Sequence, residues 1–237
     1  MPVPRRLPTS LVIIAIILAL ATLVQAAGAE AVRGPYALGA TPAGGQKPDV
    51  PANGPLVGKL IVIDPGHGGS DPGGSGRQGS VEKELTLDMG TRLRDLLVAA
   101  GANVLMTRDD DSLVGLYERP ALANLAGADA SVSLHLDWYQ SRWIHGTGVY
   151  YYPVNPASAR LAGDVHRALI DGLRLADRGI STEHTFVAIR ETTAPSVLVE
   201  VAYMTNPTEE KLLLKDSFRQ EVAADIYAGL TQFFTQK

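Results

Sequence analysis

Apolar positions along this chain fall into two alternating rhythms, short β-branched runs and longer stripes spaced three and four residues apart. Leu60–Asp64, Asn103–Thr107, Ala130–His135, Gly148–Tyr152, Phe186–Ile189 and Ser196–Tyr203 read as strands. Between them, Glu84–Ala100 carries Leu85, Met89, Leu93, Leu96 and Leu97 on one helical stripe, and Gly101 supplies a stop. Leu116–Ala126 reads as a helix of small residues, and Pro156–Leu173 opens on a proline suited to a first turn. Asp216–Phe234 closes the chain with Val222, Ile226, Leu230 and Phe234 on one face. Strands that alternate with helices predict an α/β domain with a mostly parallel sheet covered on both faces. In such a sheet the chemistry gathers at the carboxyl ends of the strands.

The ends of the chain follow a different logic. Arg5 and Arg6 precede an apolar run from Leu11 to Val24, broken only by Thr22 and followed by small residues at Ala26, Ala27, Gly28 and Ala29. Residues 1–29 therefore read as a signal peptide or an N-terminal membrane anchor, the anchor resting on the uncharged stretch 7–29. Either form predicts export to the periplasm, the cell envelope or the extracellular space. Residues 30–56, rich in proline, glycine and alanine, read as a flexible tether, and the folded domain is expected over 57–237. With 21 basic and 25 acidic residues the chain has a net charge of -4, which argues against nucleic acid as a partner. There is no cysteine, so a metal site would have to use nitrogen and oxygen ligands.

Four residues stand out against this pattern. His67 follows Asp64-Pro65-Gly66 and precedes Gly68-Gly69, a rigid turn with room for close approach. Glu82 stands where a helix begins after the glycine-rich loop, with Glu84 as a rival two positions on. His135 ends the apolar run Val132-Ser133-Leu134. Glu200 interrupts Val197-Leu198-Val199 and Val201-Ala202, where an unpaired carboxylate would be costly. Two imidazoles and a carboxylate leave one tetrahedral position open, the pattern of a catalytic zinc, and Glu200 is the candidate general base. Asp64 is a candidate for orienting an imidazole through its free N–H. Arg190 is a candidate for holding a substrate carboxylate. His145, His166 and His184 read as loop or surface residues.

Asp64-Pro65-Gly66-His67-Gly68-Gly69, Glu82-Lys83, Ser133-Leu134-His135 and Val199-Glu200 resemble, in order and spacing, the motifs of the zinc-dependent N-acetylmuramoyl-L-alanine amidases of the amidase 3 type. Met106-Thr107-Arg108, Glu118-Arg119, Arg178-Gly179-Ile180 and Thr205-Asn206 also look familial. The resemblance implies a three-layer α/β/α sandwich with Zn2+ on His67, Glu82 and His135, which selects Glu82 over Glu84. It implies Glu200 as the catalytic glutamate and peptidoglycan as the substrate, cut between N-acetylmuramic acid and L-alanine. After the second histidine the family carries a small residue and then asparagine, whereas this chain has Leu136-Asp137-Trp138. Asp137 is thereby a candidate for setting substrate preference. Short connections after His135 and before Phe186 predict a site that does not occlude itself. The rival readings are a zinc carboxypeptidase or endopeptidase on wall peptides, a non-haem iron oxygenase, and a catalytically silent peptidoglycan-binding protein.

Overall fold

The computed structural model describes residues 53–236. The leader expected over 1–29 and most of the tether lie outside these residues. Six strands form one sheet: β1 (Leu60–Pro65), β2 (Asn103–Met106), β3 (Ala130–Asp137), β4 (Thr147–Tyr151), β5 (Asp177–Thr182) and β6 (Ser196–Tyr203), in the order β2-β1-β3-β6-β4-β5. The helices are α1 (Glu82–Ala99), α2 (Glu118–Ala126), α3 (Pro156–Leu173), α4 (Val187–Arg190), α5 (Pro207–Leu213) and α6 (Asp216–Thr235). All strand pairs are parallel except β4 with β6.

Strand alternation sorts the two faces. Ala130, Val132, Leu134, Val197, Val199 and Val201 enter the main core, where Leu93, Leu161, Val165, Val222 and Ile226 bring α1, α3 and α6 against the sheet. The intervening positions face the other way. Val62 and Leu105 meet Ala123 of α2 in a much smaller apolar cluster, and α4 packs against β6. Helices therefore cover both faces, as expected, but the second face is thinly covered. That leaves His135 and Glu200 of this face only partly covered.

The structure corrects several sequence expectations. Phe186–Ile189 is not a strand; α4 occupies Val187–Arg190, and a short apolar run does not by itself distinguish the two. β5 was not expected, because its sequence is polar and exposed and contains Gly179 at φ 78, as suits an edge strand. α5 was also missed, although Asn206-Pro207 is a capping pair. Asn206 Oδ1 accepts from Thr208 N at 3.0 Å and Pro207 takes the first turn. Leu56, assigned to the tether, is buried in the main core, so the packed domain begins before Val57.

Candidate active site

The sheet register places the first pair of functional side chains. His135 of β3 and Glu200 of β6 are direct partners across neighbouring strands, so both project from the thinly covered face near the carboxyl ends. His67 arrives from the loop after β1, and Glu82 from the first turn of α1. Histidine nitrogens and carboxylate oxygen from His67, Glu82 and His135 all lie within 4.8 Å of one another. His67 Nε2 is 3.1 Å and His135 Nδ1 3.2 Å from Glu82 Oε1. Ligand atoms about 2.1 Å from a tetrahedral ion stand about 3.4 Å apart, so these three side chains fit one metal ion. The second oxygen of Glu82 accepts from Gly74 N at 2.7 Å, and Oε1 also accepts from Leu136 N at 2.9 Å. Burial alone would raise the Glu82 carboxyl, yet the two imidazoles hold it far below the usual carboxylate range. Glu84 is exposed and outside this group.

His67 has φ 62, a left-handed conformation that costs a side-chain-bearing residue about 1–2 kcal/mol. Two arginines hold it there. Arg119 donates to the carbonyls of Pro65 at 2.9 Å and His67 at 2.8 Å, and Arg108 donates to those of Pro65 at 3.0 Å and Gly66 at 2.8 Å. Glycine is required at two points in this turn. A Cβ on Gly66 would collide with the His135 ring, and one on Gly73 would lie 2.6 Å from both Glu82 Oε2 and His67 Cδ2.

Asp64 does not orient an imidazole. Buried beneath the loop, it accepts from Arg119 Nη1 at 2.7 Å, Thr107 Oγ1 at 2.6 Å and Ser133 Oγ at 2.7 Å. Burial pushes its carboxyl up, but the Arg119 guanidinium and these bonds hold it below its ordinary range. The orienting role falls to Asp71, whose Oδ2 is 2.8 Å from His67 Nδ1. That contact keeps the proton on Nδ1 and leaves the Nε2 lone pair facing the other ligands. Sequence reasoning passed over Asp71, Glu209 and Glu210. The two adjacent buried glutamates of α5 each fasten a loop. Glu210 accepts from Gln78 N at 2.6 Å and Ser80 Oγ at 2.9 Å, while Glu209 accepts from Gly146 N and Tyr203 N, both at 2.7 Å.

Glu200 Oε2 is buried without a hydrogen-bond partner among the described residues. Burial first, and then the nearby Asp137 and Glu82, push its carboxyl well above the usual range. His67, His135 and Glu200 line one cavity of about 430 Å³, with Leu113, Leu116, Phe186 and Val187 as its apolar wall. Such a group can carry a proton to and from whatever the triad holds.

A family model described as N-acetylmuramoyl-L-alanine amidase matches residues 61–232. The chain belongs to this amidase family. It is 33% identical over 197 residues to the germination-specific N-acetylmuramoyl-L-alanine amidase of Bacillus subtilis (strain 168), covering 77% of this chain and 83% of that protein. It is 39% identical over 183 residues to the probable cell wall amidase LytH of Staphylococcus epidermidis, covering 76% of this chain and 60% of LytH. Among solved structures, the catalytic domain of the amidase CwlV from Bacillus (Paenibacillus) polymyxa var. colistinus superposes with a TM-score of 0.72 at 35% identity, over 76% of this chain and 99% of that one. The CwlD amidase of Clostridioides difficile, solved in complex with the GerS lipoprotein, gives 0.73 at 26% identity, over 76% and 100%.

Of the remaining candidates of this amidase, Asp137 lies close to the triad and the others lie apart from it. Arg190 lines a separate cavity with Tyr152 and Asn155, and its Nε donates to Glu191 Oε1 at 2.8 Å. Asp137 stands two residues beyond His135; burial raises its carboxyl despite the nearby Tyr203 hydroxyl and Arg178. His145 lies beside Trp143 at another cavity, His166 Nε2 meets Asp177 Oδ1 at 2.7 Å, and His184 packs edge-on against Tyr152.

Proposed function

We propose that this amidase is a zinc hydrolase that cuts the amide between N-acetylmuramic acid and the L-alanine of peptidoglycan stem peptides in cell-wall remodelling. The carrying observation is the unpartnered, buried Glu200 carboxyl set in direct register with His135 of the His67-Glu82-His135 group. Two imidazoles and one carboxylate suit zinc with an open fourth position. When bound, zinc supplies Lewis-acid chemistry, polarising the scissile carbonyl and acidifying water. Glu200 takes the proton of the attacking water and delivers it to the leaving alanine nitrogen, completing hydrolysis with no net proton change on the enzyme. Asp71 holds the His67 tautomer, and Arg108 and Arg119 hold its backbone. Arg5, Arg6 and the apolar run after them support an exported enzyme, released into the envelope or tethered through residues 7–29.

The test is mass spectrometry of intact peptidoglycan incubated with the zinc-loaded protein. Stem peptides with a free N-terminal L-alanine, together with glycan strands stripped of peptide, are expected. Peptides cut elsewhere would make it a carboxypeptidase or endopeptidase. Retention on the wall with no release would make it a silent binding protein.

A further inference from the structure

We infer that Arg178 is the residue that recognises the leaving peptide, through a carboxylate carried by the residue that follows the alanine. This rests on the hydrolysis proposed above. His135 pairs with Glu200, Glu200 pairs with Gly148 of β4, and the register between β4 and β5 shifts beside Gly148, where Arg178 lies. The metal-ligating histidine, the proton carrier, a bare backbone position and a cation thus follow one another across four adjacent strands. A Cβ built on Gly148 would lie 3.6 Å from Arg178 Cβ and 3.5 Å from Tyr150 Cε2, so these side chains rise from the same face as Glu200. The Tyr150 ring lies over Gly148 and forms the floor between Glu200 and Arg178, with no side chain of Gly148 to lift it.

Arg178 is exposed, and it makes no ion pair or hydrogen bond among the described residues. Its guanidinium stands 5.1 Å from the centre of the Tyr203 ring, with the Asp137 carboxyl nearby but not paired to it. The stacking holds the guanidinium plane while leaving its N–H fork free. Strands about 4.8 Å apart put the Arg178 Cα about 10 Å from that of Glu200. The scissile carbonyl belongs over the triad and the amide nitrogen beside Glu200, so the leaving peptide continues past Gly148. Successive residues of an extended peptide advance about 3.5 Å each, which brings a carboxylate on the next residue within reach of the guanidinium. Arg190, the arginine favoured by the sequence pattern, is already paired with Glu191 and lines a different cavity.

The experiment compares two matched peptidoglycans whose second stem residue is D-glutamate in one and D-isoglutamine in the other. Wild-type kcat/KM is expected to favour the free acid by about 10- to 100-fold, the range for a charge-assisted, two-pronged contact. Arg178→Gln should erase that preference by slowing the acid substrate alone, mainly through KM. Arg178→Lys should restore part of it, because a point charge lacks the fork. Equal cleavage of both substrates by the wild type would overturn the assignment while leaving the amidase reading intact. So would a loss in Arg178→Gln that falls equally on both substrates. Cleavage of neither at the lactyl amide would remove the proposed function and this inference with it.

Discussion

His67 Nδ1 stands 2.8 Å from Asp71 Oδ2, while Asp71 Oδ1 accepts from Gly73 N at 3.1 Å. One carboxylate therefore ties the His67 ring of the triad to the glycine loop that lies against Glu82. Asp71→Ala should weaken zinc affinity about tenfold, the low end for an outer partner of a ligating histidine, because Asp71 is half-exposed and water can take its place. Competition with a chromophoric chelator reads this directly. Unchanged affinity would mean that the backbone alone sets the ring.

Glu200→Gln keeps the shape of the side chain and removes its basicity. The variant should bind zinc as the wild type does and lose about 10²- to 10⁴-fold in turnover, the range for a positioned general base. Metal content and initial rates on the same preparation separate the two quantities. Turnover near that of the wild type would assign proton transfer elsewhere.

Arg119 and Asp64 form a buried pair at 2.7 Å, with side chains 8% and 4% exposed. Arg119→Leu leaves an uncompensated buried carboxylate, frees the carbonyl of His67 and leaves that of Pro65 to Arg108 alone. A loss of about 3–5 kcal/mol is expected in urea unfolding at pH 7. The sign of the pH dependence follows from Asp64, whose folded-state value lies below its ordinary one. Its contribution to wild-type stability is present above that ordinary value near 3.8 and is lost as pH falls through the depressed one. In the variant Asp64 should titrate above 3.8 instead, so the gap between the two proteins narrows on acidification from pH 7 to about 4. A constant gap would show that the pair contributes only packing.

Asp225 on α6 works in the opposite direction. Its Oδ2 is buried without a partner among the described residues, and burial, with Glu221 and Asp171 nearby, pushes its carboxyl up to about 6. Between its ordinary value of 3.8 and about 6 the folded protein holds the extra proton, so stability falls as pH rises through that window. Asp225→Asn should remove this slope. Because the carboxyl is partly solvated, the gain at pH 7.5 is expected to be about 1 kcal/mol, or about 2–4 °C in Tm. Thermal scans at pH 4.5 and 7.5 check it; a variant no more stable at the higher pH would place the carboxyl in water.

What sequence could determine here is what local chemistry determines. The β-branched runs of β1, β3 and β6 and the stripes of α1, α3 and α6 are legible because burial imposes a period on the chain. His67, Glu82, His135 and Glu200 are legible because each breaks the pattern around it or stands in a motif. The choice of Glu82 over Glu84 needed the family resemblance at the sequence level and is decided in space by the contacts of Glu82 with His67 and His135. Only the tertiary structure could assign Asp64 to Arg119 and give His67 to Asp71, since a carboxylate's partner depends on which distant groups the fold brings within 3 Å. It alone revealed β5, whose polar, exposed sequence has no burial period to betray it. It alone placed Arg178, rather than Arg190, in the row of Glu200, because strand order and register are relations between segments far apart along the chain, and no local pattern encodes them.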